Sequence, residues 1–201
     1  MTKTIVVPGE LISDKAERGS GIYTENEKTY SKYLGVLYQG EDTQVVPLNG
    51  KYTPKEGDQI IGMITAQDMN GYILDVKSYH MPYVHKRSIK TELKPGDLML
   101  CQVIGVNEIK DMTIDIQAKL EDGILLNVSA KKVPRVIGKH RSMIKLLEKF
   151  SGSKILVGAN GNIFIQDGKP SIVKNALEVI SKYSHVDNLT DKMNIYLQKM
   201  K

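Results

Sequence analysis

The chain has 201 residues, 41% of them hydrophobic, with a formal net charge of +5, one cysteine and no tryptophan. That length predicts two or three compact modules with real cores. The lone Cys101 excludes an internal disulfide and a multi-cysteine zinc site, and no apolar run approaches the ~20 residues of a membrane span. The first residues, Met-Thr-Lys-Thr-Ile-Val-Val-Pro, lack a signal-peptide core, so the expectation is a soluble protein of the cytoplasm, with no membrane partner.

The charge is unevenly spread. Residues 1–122 carry 14 Lys and Arg against 18 Asp and Glu, a net of −4, whereas residues 123–183 carry 11 against 3, a net of +8. One strongly basic region in a mildly acidic chain predicts a localised polyanion site; a basic patch of the ribosomal-protein kind would give the same count.

Residues 1–54 break into short strand-like runs (Thr4–Val7, Ile22-Tyr23, Tyr33–Tyr38 and Gln44–Leu48) separated by Pro8-Gly9, Gly19-Ser-Gly21, Gln39-Gly-Glu-Asp42 and the tight-turn pair Asn49-Gly50. This pattern predicts a small β module. Its acids are scattered singly, so docking is the expected role. A second β module follows over 57–118, with strands at Gln59–Thr65, Tyr72–Val76, Pro82–Lys86, Leu98–Val106 and Thr113–Gln117. Five short strands with glycine at the bends predict a small closed barrel of the oligonucleotide-binding kind. Tyr72, Tyr79, Tyr83, His80 and His85 interleave there with Lys77, Lys86, Arg87 and Lys90, placing stacking surfaces beside phosphate partners. Barrel-end packing is the plain alternative for each tyrosine. His80, His85 and Cys101 lack the spacing and the fourth ligand of a metal set.

From Gly123 to Tyr183 the order of elements reads β-α-α-β-β-α. At its centre Val133-Pro-Arg-Val-Ile-Gly-Lys-His-Arg-Ser-Met-Ile144 carries Arg135, Lys139, His140 and Arg141 and no acid, with Lys145 just beyond. A helix from about Ser142 presents Met143, Leu146, Leu147 and Phe150 on one face. Glycine at 138 allows main chain to approach phosphates beside a helix N-terminus; a solvated basic loop is the alternative. A hairpin around Gly158-Ala-Asn-Gly161 and a helix after Pro170 complete the region. Residues 184–201 form a tail whose Leu189, Met193, Tyr196 and Met200 predict an amphipathic helix packed on its own domain.

These residues carry two resemblances. Gly62-Met-Ile-Thr, Gly71-Tyr-Ile-Leu, Tyr83-Val-His85 and Leu93-Lys-Pro-Gly-Asp97 resemble the S1-type RNA-binding barrel, in which the positions of Tyr72 and His85 face RNA. Position 69, commonly aromatic in that family, is Met here. Val136-Ile-Gly-Lys within the β-α-α-β-β-α order resembles a type I KH domain, whose loop with glycine at its first and fourth positions clamps about four nucleotides. Gly138-Lys139-His140 fits, but the fourth position is Arg141.

The fold class implied is mainly β plus α+β: an N-terminal β module (1–54), an S1-type OB-fold barrel (57–118), a KH domain (123–183) and a helical tail (184–201). With Val7-Pro-Gly-Glu10 and Val46-Pro-Leu48, this order resembles the S1–KH RNA-binding cap subunit of the archaeal exosome. The resemblance implies a protein that is not an enzyme and needs no cofactor or metal. Three copies would sit on a hexameric ring of RNase PH-like subunits and feed single-stranded RNA into it. From charge and position together with the two resemblances, the expected RNA-binding residues are Tyr72, Tyr83, His85, Lys86, Arg87, Arg135, Gly138, Lys139, His140, Arg141 and Lys145. A stand-alone S1/KH RNA-binding protein acting in translation or RNA metabolism is the alternative. No Walker loop, GxSxG or metal-spaced carboxylate cluster supports an enzyme.

Overall fold

The computed structural model describes residues 3–40, 42–89, 92–184, 186 and 188–199; the expectations for Lys90 and Met200 lie outside them. The chain divides into two units, residues 1–50 and 51–201.

In the first unit, β1 (Lys3–Val6), β5 (Gly35–Tyr38) and β6 (Gln44–Pro47) form one antiparallel sheet in the order β1-β5-β6. A second sheet runs β2-β4-β3, from β2 (Leu11–Ser13), β4 (Lys28–Ser31) and β3 (Ile22–Glu25). Val6, Leu37 and Val45 make a small core, with Ile12 and Ile22 packed against it. The strands β2 and β4 were not foreseen. β4 buries Thr29 and Ser31 rather than apolar residues, so hydrophobic alternation does not mark it. The Thr29 hydroxyl donates to the Lys15 carbonyl at 2.8 Å and accepts from the Glu17 N–H at 2.9 Å, which satisfies it and ties the 14–19 segment to the sheet. The Thr43 hydroxyl donates to the Glu17 carboxylate and, as the largest cause, holds it below the usual carboxylate range.

The second unit opens with a five-stranded antiparallel sheet in the order β11-β10-β7-β8-β9: β7 (Gln59–Gln67), β8 (Gly71–Asp75), β9 (Tyr83–His85), β10 (Leu98–Val106) and β11 (Met112–Leu120). It curls in OB fashion around Ile60, Ile64, Tyr72, Leu74, Val84, Leu93, Met99, Cys101 and Val103. Among the described residues β9 and β11 are edge strands that approach without a ladder; the wall is therefore not the fully closed barrel expected. Bulges at Leu100/Cys101 and Val103/Gly105 in the β10–β11 pair supply the curl.

After β11 comes an α+β layer. The strands β12 (Gly123–Asn127), β13 (Lys154–Val157) and β14 (Asn162–Gln166) are ordered β12-β14-β13. They are covered by α1 (Val133–Ile137), α2 (Ser142–Ser151) and α3 (Pro170–Lys182). The buried residues Val136, Met143, Ile144, Leu147, Ile163, Ile165, Val173, Ala176 and Ile180 form one core. The tail helix α4 (Leu189–Lys199) joins that core through Leu189, Met193 and Leu197. Leu197 is buried there as well, and the half-buried Tyr196 packs against the same core as expected.

The two layers of this unit are stapled through the hairpin between β13 and β14. The buried Asn160 amide donates to the carbonyls of Ile61 (2.8 Å) and Val76 (3.0 Å). Asn162 donates to the same Ile61 carbonyl at 2.7 Å, and the Ala159 N–H donates to the Gln59 carbonyl at 2.8 Å. Ala159 packs on the barrel core. The segment Gly158–Gly161, expected only as a turn, is thus the joint between barrel and α+β layer.

Candidate nucleic-acid interface

The barrel surface is built on the turn from β7 to β8. Asp68 Oδ1 accepts the N–H groups of Asn70 (2.8 Å) and Gly71 (2.7 Å), closing the turn. Met69 stands at its tip, 92% exposed. Tyr83 on β9 lies across Gly71, where an added Cβ would meet its ring carbon at 2.5 Å and its hydroxyl at 2.6 Å. Only glycine permits that approach.

Tyr83 is 39% exposed, and its ring meets His85 edge-on, with centroids 5.0 Å apart and planes at 83°. Lys86 donates to the Asp68 carbonyl at 2.7 Å and sits 5.5 Å from the Tyr72 ring centroid. Asn70, His85, Arg87 and Ser88 line an open cleft of about 490 Å³. Tyr83, His85, Lys86 and Arg87 are all exposed and gathered here.

Tyr72 is placed differently from its expected RNA-facing position. It is 2% exposed, belongs to the barrel core, and its hydroxyl accepts the Leu93 N–H at 3.2 Å. The signal was legible: Tyr72 shares strand parity with Leu74 and Val76, both inward. Asp68, at the start of the β7–β8 turn, organises it. Cys101 is also core, its thiol pushed up to about 12 by burial, with the charge of Asp115 adding to it, so it behaves as an inert hydrophobe.

The second basic surface is the junction of α1 and α2. α1 is one short turn of helix started by Val133-Pro134, with proline tolerated in the first turn. It ends at Gly138, whose N–H donates to the Pro134 carbonyl at 2.9 Å. Gly138 has φ 71° and ψ 167°, and a Cβ there would lie 2.7 Å from the Met143 N. His140 (φ 51°) and Arg141 (φ 62°, ψ 22°) both take the left-handed conformation. Arg141, at the position where the expected loop has glycine, therefore adopts the backbone that glycine would favour.

Lys139, His140, Arg141 and Lys145 are exposed and Arg135 is half-buried. None of these cations has an ion-pair partner among the described residues. The first turn of α2 holds no acid and its cap no side-chain hydrogen bond, which leaves amide N–H groups beside an uncompensated cationic loop.

The KH domain model matches residues 124–182. The chain is 34% identical to the exosome complex component Rrp4 of Picrophilus torridus, over 99% of this chain and 94% of that protein. The chain belongs to the Rrp4 family of exosome components. Rrp4 of Methanothermus fervidus is also 34% identical, over 97% and 95% of the two chains, and that of Pyrococcus furiosus 31%, over 98% and 84%. A crystal structure described as an exosome complex RNA-binding protein superposes with a TM-score of 0.68 at 24% identity, covering 75% of this chain and 97% of that one; it supports the fold. Within this Rrp4-family chain, the β12-α1-α2-β13-β14-α3 segment is the KH domain and β7–β11 the OB-like barrel.

Proposed function

We propose that the chain is the non-catalytic RNA-binding cap subunit of an exosome and works in the cytoplasm. It holds single-stranded RNA on the barrel cleft and the KH loop, and directs the 3′ end into a hexameric ring of RNase PH-like subunits for 3′-to-5′ degradation or tailing. Three copies cap each ring.

In this reading Tyr83 and His85 supply stacking faces. Lys86, Arg87, Arg135, Lys139, His140, Arg141 and Lys145 supply charge-assisted contacts to phosphates. Gly138 allows the loop to turn. Tyr72 supports the surface from beneath.

The observation favouring a cap over a stand-alone RNA-binding protein is in the first unit. Ile5, Val36 and Val46 are cross-strand partners, so they form a row on the face of the β1-β5-β6 sheet opposite its core residues Val6, Leu37 and Val45. Val36 at its centre is buried, but Ile5 is 48% and Val46 43% exposed, and Val7 and Leu34 at the adjoining strand ends are exposed as well. An exposed apolar row of this kind on a fifty-residue unit suits a protein surface better than a polyanion. The direct test of the non-catalytic role is incubation of the purified chain alone with end-labelled RNA and either Mg²⁺ or phosphate. The RNA is expected to stay intact; shortening by the ring-free protein would overturn the reading.

A further inference from the structure

We infer that Asp68, an acid on a surface proposed to meet a polyanion, is a positioning residue for RNA binding that acts through Tyr83. The inference rests on the proposed barrel surface and adds a residue to it.

A carboxylate beside bound RNA repels phosphates, so simple electrostatics disfavours aspartate at this position. Its contacts give the reason for its presence. Tyr83 donates its hydroxyl proton to Asp68 Oδ1 at 2.9 Å, the oxygen that also accepts the N–H groups of Asn70 and Gly71. Lys86 returns to the Asp68 carbonyl, and the Lys86 N–H donates to the Asn70 carbonyl at 2.8 Å. The Asp68 side chain thus ties the β7–β8 turn to β9, the strand that carries Tyr83 and His85, while carbonyls of the same turn hold Lys86 just beyond it.

The Tyr83 ring is fixed at both ends. Its hydroxyl is held by Asp68, and its ring packs nearly perpendicular to His85, which in turn walls the cleft shared with Asn70 and Arg87. Freed from Asp68, Tyr83 regains rotamer freedom that RNA binding must then remove. The same contacts hold the Asp68 carboxyl below its ordinary range, the Tyr83 hydrogen bond being the largest cause, so the carboxylate stays ionised and accepting at neutral pH.

The test is equilibrium binding of a fluorescein-labelled oligoadenylate to the full chain and to the D68A, Y83F, H85A, R87E and D68A/Y83F variants, across a salt series. Thermal unfolding is followed in parallel, and Y83F, which deletes one oxygen, guards against a D68A fold defect. Positioning predicts that D68A weakens binding about fivefold, the worth of the Tyr83 hydrogen bond at about 1 kcal/mol, with the slope of log K against log salt unchanged because no phosphate contact is lost. Y83F should weaken it by a similar factor, and D68A/Y83F no more than the worse single variant. Binding by D68A that is unchanged or tighter, while H85A and R87E bind weakly, would overturn the positioning role and leave the barrel surface standing. If H85A and R87E also bind normally, the barrel reading fails and this inference with it.

Discussion

Asn160 and Ile61 are joined edge to edge: the Asn160 amide nitrogen donates to the Ile61 carbonyl at 2.8 Å, and its oxygen accepts the Ile61 N–H at 3.3 Å. A side chain from the KH hairpin thereby reads the backbone of barrel strand β7 as another strand would. Because Asn160 is buried and also serves the Val76 carbonyl, its loss leaves buried backbone groups without partners. N160A is expected to cost about 2–4 kcal/mol in urea unfolding of the full chain. A loss below about 0.5 kcal/mol would contradict the staple.

At the KH loop the backbone already sits where glycine is most at ease. R141G is expected to leave stability unchanged or raise it by up to about 1 kcal/mol, since it relieves the left-handed strain of a non-glycine residue. The same variant should lower the salt slope of RNA binding by about one unit as a phosphate contact goes. K139E/R141E together should weaken binding further. G138A, by contrast, brings a Cβ onto the start of α2 and is expected to cost about 1–3 kcal/mol. Salt titrations and unfolding curves on the three variants check these outcomes.

The proposed docking row predicts a separation of functions. V46E places a charge on an exposed position of the outer sheet face, so unfolding should change by no more than about 0.5 kcal/mol. RNA binding by the purified chain should be unaffected, while co-purification with partner subunits is lost. Normal co-purification would move the docking surface elsewhere.

Alkaline stability follows from two buried protons. Burial is the main cause that raises both the Cys101 thiol, to about 12, and the Tyr52 phenol, whose hydroxyl also donates to Asp58 at 2.6 Å. Each folded-state pKa lies above its unfolded value, so the native state holds more protons once the unfolded groups begin to titrate. Stability is full below the ordinary thiol value of about 9 and falls as pH rises above it. The slope should reach about 1.4 kcal/mol per pH unit for the thiol, with Tyr52 adding to it at higher pH. C101A should remove the thiol part. An identical pH slope in C101A would contradict the assignment.

Much of this architecture was legible in the sequence, for reasons that also explain the gaps. Leu98–Val106 and Gly71–Asp75 alternate or bury strongly enough to read as strands, and Met143, Leu147, Val173, Ala176 and Ile180 carry helical spacing. β4 escaped because its inward residues are threonine and serine, satisfied by backbone groups distant in sequence. The roles of Asn160 and Asp68 depend on partners up to 99 residues away and on a cross-strand tyrosine, relationships that local patterning does not encode. Tyr72 points inward, as its parity with Leu74 and Val76 requires, whereas the resemblance to RNA-facing aromatics implies the outer face; local alternation is the stronger signal here.

The most direct test of the cap assignment is the native mass, with subunit identification, of the affinity-tagged chain purified from its own cells at low salt. The account predicts a large assembly holding three copies of this chain on six RNase PH-like subunits. A free monomer, or a chain bound only to ribosomes, would contradict it.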